Sequence, residues 1–172
     1  MTFSRRNPYQ DLPQLSLSDA KKKIMDFVAR RDHSEKELRK KLSLRCEPEI
    51  VDQAIEWAKE QNWLAQPEVL SEKFAEQLSR RGKGIRKINQ KLKELGLGAV
   101  KADKETELEK ARRLVLNKWS AEDFRGLGFQ ESQKLKAKIM RYLIARGYES
   151  DIVSNILKNE FKAGAISHDE EY

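Results

Sequence analysis

Basic side chains recur at helical spacing in the middle of this sequence, and they offer electrostatic rather than covalent chemistry. Residues three or four positions apart share one face of a helix, so Arg86, Gln90 and Lys93 form a stripe that Lys87 and Lys91 flank. The stretch of residues 71–101 holds nine basic residues against only three acids. Such a stripe suits a phosphate backbone or an acidic protein groove, through additive and salt-sensitive attraction.

A second basic stripe follows further along the chain, at Lys134, Lys138 and Arg141. These residues fall at i, i+4 and i+7, beside inward-facing apolar positions of the same predicted helix. For any single lysine, a merely solubilising role is the simpler interpretation. Acids are sparse on both stripes, however, so taken together they favour binding. We therefore predict a binding surface for a phosphate backbone or an acidic protein groove, formed by Lys83, Arg86, Lys87, Lys91, Lys93, Lys134, Lys138 and Arg141.

Catalytic and metal-binding patterns find no support. The segment 82–84 (Gly-Lys-Gly) lacks the spacing and the preceding strand of a phosphate-binding loop. Cys46 has no partner at metal-ligand spacing, and nothing positions His33 as a base beside it, so a role in a capping turn is the better interpretation of His33. The sequence predicts a binding protein that is not an enzyme and that uses no cofactor and no metal.

Composition narrows the class of protein further. The chain has 172 residues, 37% charged and 38% hydrophobic, with a formal net charge of +7. Its single cysteine allows no internal disulfide, which favours a reducing compartment. Arg5 and Arg6 precede no apolar signal-peptide core, and no apolar run approaches the length that spans a bilayer. These features predict a soluble, cytoplasmic protein without a membrane partner.

The elements that must position the basic residues are helices. Ser34 and Glu37 form a capping-box pattern, which predicts that a helix starts there. Pro48 and Pro67 suit the first turns of two further helices. Residues 105–118 carry apolar side chains at helical spacing. No sustained alternation of apolar and polar residues indicates a strand.

An internal repeat becomes visible when Arg31, Arg81 and Arg146 are aligned. Four apolar columns then match without a gap, at positions seven and three before the arginine and seven and eleven after it. The residue after the arginine is aspartate at 32 and glycine at 82 and 147, types that tolerate the left-handed conformation ending a helix. Each segment therefore predicts a helix, a tight C-cap and a second helix.

Room between these pairs allows a third helix in each repeat, so we predict an all-α fold, an elongated stack of about three tandem three-helix repeats. Between residues 96 and 105 the chain is short of a full helix, so the last helix of the second repeat is expected to be truncated. The predicted divisions are a flexible N-terminal segment 1–17, repeats at 18–64, 65–104 and 105–163, and an acidic C-terminal tail 164–172.

Three motifs resemble the RecX family of regulatory proteins. They are the run from Arg30 to Leu42, the segment 81–84 (Arg-Gly-Lys-Gly), and the segment 139–148, which ends in Arg-Gly-Tyr. The resemblance covers residues from about 20 to 161. It implies an elongated helical monomer that lies in the groove of the RecA recombinase filament on single-stranded DNA. It also implies that filament growth, ATP hydrolysis, strand exchange and co-protease activity are lowered.

Two other classes stay open from the residues alone. A basic helical protein that binds single- or double-stranded DNA by itself is one, because three-helix units are similar to helix-turn-helix modules. A helical scaffold for another acidic protein is the second. Aromatic stacking on unpaired bases is a further alternative for Trp63 and Trp119, whereas Trp57 lies on an apolar helix face and is expected in the core.

Overall fold

The computed structural model describes residues 13–166, apart from the side chains of residues 121, 122 and 162–166. This range contains helices and no strand, which confirms the predicted all-α class. Most of the predicted N-terminal segment 1–17 and acidic tail 164–172 lies outside the described residues. The helices are α1 (Leu17–Val28), α2 (Glu35–Leu42), α3 (Pro48–Glu60), α4 (Pro67–Arg80), α5 (Ile85–Leu95), α6 (Lys104–Lys118), a 3₁₀ helix (Ala121–Phe124), α7 (Phe129–Arg146) and α8 (Ser150–Ile166).

Local sequence signals set where several helices begin. The Ser34 hydroxyl accepts a hydrogen bond from the Glu37 N–H, and the Glu37 carboxylate accepts one from the Ser34 N–H, so the predicted capping box forms at the start of α2. Pro48 and Pro67 are the first residues of α3 and α4, where proline's missing N–H costs no helical hydrogen bond. The Asp103 carboxylate caps α6 in the same manner as Ser34 caps α2.

The described residues form two compact units, and residues 13–71 together with Lys93–Gly98 make up the first. Its core is a cluster in which Ile24 of α1, Leu38 and Leu42 of α2, and Ile55 of α3 are almost fully buried. Burying a leucine or isoleucine side chain contributes about 2 kcal/mol each, so this cluster holds the three helices together. The Ser34 hydroxyl also donates a 2.7 Å hydrogen bond to the Leu95 carbonyl oxygen.

Residues of Glu72–Leu92 and 99–166 make up the second unit. Its core is built by α6, α7 and α8, with Val115, Ile139, Leu143 and Ile156 almost completely buried. Tyr148, which follows the α7 C-cap, has no exposed surface and belongs to the same cluster. This unit carries most of the predicted binding residues.

The chain between α5 and α6 forms no helix over residues 96–103. The side-chain amide of Asn89 holds this segment from α5, because it donates to the Val100 carbonyl oxygen and accepts from the Val100 N–H, both at 2.9 Å. The boundaries of the two compact units do not coincide with the predicted repeat boundaries. Two compact units do not test a division into three repeats, so the repeat boundaries remain predictions.

The predicted left-handed caps are right at two positions and wrong at the third. Gly82 and Gly147 have φ angles of +71° and +90°, whereas Asp32 has no positive φ. Helix α1 ends at Val28, before the aligned arginine, and the N–H groups of Arg30 and Arg31 both donate to the Phe27 carbonyl oxygen. The chain leaves α1 through the right-handed Ala29, so no left-handed residue is needed at Asp32.

Candidate binding surface

The predicted basic residues are accessible but do not all belong to one unit. Seven of the eight have exposed side chains, and Lys83 is half-buried. Lys93 falls in the first compact unit, whereas the other seven fall in the second. The candidate surface is therefore built from the seven cations of the second unit, on α5 and the turn before it and on α7.

Backbone contacts fix the amino end of α5 against the end of α7. The Gly84 N–H donates to the Arg146 carbonyl oxygen at 2.9 Å, and the Arg86 N–H donates to the Gly147 carbonyl oxygen at 3.1 Å. A Cβ added at Gly84 would lie 2.6 Å from the Gly147 backbone, and one at Gly147 would lie 2.4 Å from the Lys87 nitrogen. Only glycine at both positions allows the two backbone segments to come this close. The turn that carries Lys83, Arg86 and Lys87 is therefore fixed against the end of α7.

A buried carboxylate completes the start of α5. Glu107 of α6 is only 4% exposed, and its Oε2 accepts a 3.0 Å hydrogen bond from the Ile85 N–H. Its other oxygen pairs with the Lys110 ammonium, which also donates to the Ser79 hydroxyl at 2.9 Å. A carboxylate at the amino end of a helix accepts a hydrogen bond from a free N–H group. Its negative charge also interacts favourably with the positive end of the helix dipole. Sequence reasoning missed this role, because Glu107 is one of many acids on a helix that looks solvated.

A buried phenol lies beside this ion pair. The Lys110 ammonium is 5.8 Å from the centroid of the Tyr148 ring. Burial raises the pKa of Tyr148 well above its ordinary value, and the negative charge of Glu107 acts in the same direction. Tyr148 therefore stays neutral and fills the core, and it offers no ionisable group to the surface.

The basic stripe on α7 is exposed along its whole length. Lys134, Lys138 and Arg141 are all exposed, and the Arg141 Nε donates to the Ala137 carbonyl oxygen at 3.2 Å. With a rise of about 1.5 Å per residue, Lys134 lies roughly 18 Å along the helix axis from Arg146. The basic stripe of α7 therefore lies on the same helix whose C-terminal end contacts the amino end of α5.

Large apolar side chains are also exposed on α7, and sequence reasoning assigned them no role. Phe129 is 80% exposed, Met140 48% and Ile144 44%. The available signal was their spacing, which places them off the row of Ile139 and Leu143 that enters the core. By contrast, α5 exposes no large apolar side chain.

The tryptophans pack against other rings. Trp57 and Trp63 form an edge-to-face pair at 4.9 Å, and Trp119 forms one with Tyr142 at 5.3 Å. All three tryptophans are half-buried. Edge-to-face packing is a stabilising arrangement within a protein, so we assign these residues to packing rather than to base stacking.

Comparison with known proteins identifies the family. The model of "RecX, first three-helix domain" matches residues 20–57, and that of "RecX, third three-helix domain" matches residues 105–157. The Regulatory protein RecX of Ralstonia pickettii (strain 12J) is 34% identical over 85% of this chain and 90% of its own length. This chain belongs to the RecX family. The Regulatory protein RecX of Ralstonia nicotianae is 32% identical over 86% of this chain and 91% of its own length.

Solved RecX structures share the fold. The crystal structure of RecX from Lactobacillus salivarius aligns with a TM-score of 0.65 at 17% identity, over 86% of this chain and 97% of that one. The first matched RecX domain spans most of α1 to α3, and the third spans most of α6 to α8. The predicted tandem three-helix organisation and the resemblance to RecX are thus confirmed, and a regulatory role follows from the family.

The part of the chain that the structure describes shows neither a metal-binding cluster nor a membrane-spanning helix. Residues 13–166 contain no cluster of three or more histidine, cysteine, aspartate or glutamate side chains placed to hold a metal ion. Within the same range, no helix combines the length and apolar character needed to cross a membrane.

Proposed function

We propose that this RecX-family chain acts as a monomer in the cytoplasm, binds the RecA filament on single-stranded DNA and inhibits filament growth. Lower ATPase, strand exchange and co-protease activity follow from this inhibition. Family membership supports the regulatory role. The observation that carries the filament contact is the basic surface of the second unit. Its seven exposed or half-exposed cations lie on α7, on α5 and in the turn before α5, and backbone hydrogen bonds join this turn and α5 to the end of α7.

The filament offers matching chemistry to such a surface. Single-stranded DNA presents one phosphate charge for each nucleotide, and cations that contact phosphates gain affinity by releasing counterions. Arg86 and Lys87 sit in the first turn of α5, and the backbone hydrogen bond from Arg86 to Gly147 fixes where that turn points. A support that is already ordered loses little conformational freedom when it binds. The α5 end is thus suited to backbone contact.

The decisive experiment is a titration of RecA's DNA-dependent ATPase on single-stranded DNA at two salt concentrations. The proposal expects inhibition by the purified chain, weaker at the higher salt because charge contacts are screened. Inhibition at a low ratio of chain to RecA indicates action at filament ends. An ATPase rate that stays unchanged at a stoichiometric ratio in low salt would contradict the proposal.

A charge-reversal variant tests the α5 end within the same assay. Arg86→Glu with Lys87→Glu should raise the concentration needed for inhibition by about tenfold, since two cation contacts become repulsive. Acids in the first turn of a helix are favourable for helix stability, so lost inhibition would not report unfolding. Lys40→Glu with Lys158→Glu is the matched control, because both lysines are exposed and lie outside the candidate surface. Equal inhibition by variant and control would exclude the α5 end from the contact.

Stand-alone DNA binding is the second candidate function. It is favoured by the amino end of α5, where the cations are exposed and no large apolar side chain of the helix is exposed. Contacts to phosphates are made by cations and hydrogen-bond donors and use no apolar surface. Binding to duplex and single-stranded oligonucleotides without RecA measures this function directly. Affinity for a defined duplex site far above that for random DNA, with the RecA ATPase unaffected, would favour it over filament regulation.

A further inference from the structure

We propose that the outer face of α7 docks into an apolar cleft with an acidic rim on the protein component of the filament, rather than onto DNA. This inference rests on the proposed function and assigns different partners to the two basic regions. The outer face consists of two neighbouring stripes. The apolar stripe is formed by Phe129, Ala137, Met140 and Ile144, with the polar Gln133 lying between the first two, and the basic stripe is formed by Lys134, Lys138 and Arg141.

Helical geometry places these residues on one face of α7, where Gln133 is the one polar member of the row. At about 100° per residue, the five positions from Phe129 to Ile144 fall within roughly 80° around the helix axis. All five are exposed. The described residues contain seven exposed large hydrophobic side chains, and three of them lie on this one stripe. Single exposed apolar residues are ordinary on a protein surface, but a row along one helix face marks an interaction site.

The basic stripe runs beside the apolar one and sets the chemistry of the partner. Lys134, Lys138 and Arg141 are centred about 110° further around the helix, away from the side that enters the core with Ile139 and Leu143. A partner must therefore bury apolar side chains and place acids along one edge. An amphipathic helix in an apolar groove, with anchors at i, i+3, i+4 and i+7, is a common arrangement of this kind.

Neither a phosphate backbone nor a second copy of this chain meets both demands. Phosphates and sugars give Met140 and Ile144 no apolar cleft. Unpaired bases stack on aromatic side chains, and Phe129 is the one aromatic residue of the stripe, so bases would leave Met140 and Ile144 without a partner. Two copies packed through this face would bring Lys134, Lys138 and Arg141 of one copy against the same cations of the other, which costs free energy. An acidic protein surface satisfies both the apolar and the charged stripe.

The test compares two triple variants of the full chain. Phe129→Ser, Met140→Ser and Ile144→Ser remove the stripe, and the matched control replaces three exposed apolar residues elsewhere, Met25→Ser, Val69→Ser and Leu116→Ser. Affinity is measured for RecA filaments on single-stranded DNA and, separately, for the DNA alone. The stripe variant should bind filaments about tenfold more weakly or worse, because truncating buried apolar anchors removes much of an interface's affinity. Its affinity for DNA alone should match the control.

The outcomes separate this inference from the proposed function. Wild-type chain that neither binds filaments nor inhibits RecA overturns the proposed function and the docking face with it. Wild-type chain that inhibits, with a stripe variant that binds filaments as well as the control does, overturns the docking face alone. Equal losses for filament and for bare DNA would also overturn it, since the stripe would then contact DNA.

A photo-crosslinking measurement identifies the partner without relying on affinity. A benzophenone amino acid in place of Phe129, which is 80% exposed at the start of α7, keeps an aromatic ring at the edge of the stripe. Irradiation of the complex with filaments should link the chain to RecA protein. Crosslinks predominantly to the DNA strand, or to a second copy of the chain, would overturn the inference.

Discussion

The amino end of α5 and the outer face of α7 are both basic, but they differ in what accompanies the charge. At α5, Arg86 and Lys87 are exposed without large apolar neighbours, and the turn that carries them is fixed by hydrogen bonds to the α7 C-terminus. On α7, the cations run beside exposed Phe129, Met140 and Ile144. Two regions that look alike as counts of lysine and arginine therefore offer different chemistry to a partner.

The difference has a consequence for salt. Attraction between exposed charges is screened over a Debye length of about 8 Å at physiological ionic strength. Burial of apolar surface, at about 25 cal/mol per Å², does not weaken as salt is added. Contacts of the α5 end should therefore fade as salt rises, whereas contacts of the α7 face should persist. The two regions can be separated by this property even in the intact chain.

The largest effect is expected from Gly147→Ala, which removes the physical link between the two regions. The added methyl group would lie 2.4 Å from the backbone nitrogen of Lys87, and Gly147 itself has a φ of +90°. Left-handed strain and overpacking together should lower the free energy of unfolding of the second unit by about 2–4 kcal/mol. Urea unfolding followed by Trp119 fluorescence, with Trp57 and Trp63 replaced by phenylalanine, reports this unit.

Gly128→Ala is the matched control for that substitution, because Gly128 belongs to the same unit. The added methyl group meets nothing closer than a Glu131 carboxylate oxygen at 3.8 Å, and Gly128 has a φ of −60°. Its unfolding midpoint should stay close to that of the parent. Similar midpoints for Gly147→Ala and Gly128→Ala would show that the contact between α5 and α7 is not as tight as described.

Glu107→Ala should have the next largest effect and should act on the α5 end first. The substitution removes the acceptor for the Ile85 N–H and leaves the Lys110 ammonium without its carboxylate partner, although its side chain is only 12% exposed. Losing one member of a buried pair costs about 3 kcal/mol. Urea unfolding measures the loss, and Glu109→Ala, an exposed acid on the same helix, is the control. Equal stability of the two variants would contradict the anchoring role of Glu107.

Charge reversal in each region should show which of the two regions contributes to the salt dependence of DNA binding. Arg86→Glu with Lys87→Glu should flatten the dependence of log affinity for single-stranded DNA on log salt by roughly 1.4, if each cation meets one phosphate. Lys134→Glu with Lys138→Glu should change that slope less, because we assign α7 to the protein partner. Fluorescence anisotropy with a labelled oligonucleotide over a salt series measures both slopes. Equal slopes for the two variants would make the two regions equivalent.

The smallest effect concerns the first unit, where His33 lies outside both regions. His33 is buried, and its Nδ1–H donates to the Arg31 carbonyl oxygen at 2.9 Å. Burial lowers the pKa of His33. The positive charges of Arg31 and Lys41 act in the same direction, and the negative charge of Glu37 acts against them. The unfolded chain therefore takes up a proton first as the pH falls through about 6.5, and stability is lost on acidification.

His33→Asn tests this pH dependence, because the amide keeps a donor and cannot titrate near neutral pH. Between about pH 7.5 and pH 5.5 the parent chain should lose thermal stability, and the variant should lose less. Melting followed by Trp57 and Trp63 fluorescence, with Trp119 replaced by phenylalanine, reports the first unit. A variant that loses as much stability as the parent would show that another group is responsible.

The repeated turns show how far residue types decide local geometry. The alignment of Arg31, Arg81 and Arg146 predicted three equivalent caps, and the two glycines adopt the left-handed conformation that only glycine enters freely. Asp32 does not, and α1 ends at Val28 instead. The Arg31 guanidinium pairs with Glu37 at 2.8 Å across the turn into α2. A sequence column therefore identified the turns, whereas the left-handed conformation is adopted at the two glycines and not at Asp32.

The sequence alone determined the helical class, the starts of α2, α3 and α4, and the exposure of the basic stripes, because these depend on neighbours within one or two turns of helix. It also identified the RecX family from motifs that are local. Tertiary structure alone decided that Glu107 caps α5 and that Gly84 and Gly147 let two turns touch. Each of these depends on which distant segment arrives at a given face, and periodicity along one helix carries no information about that.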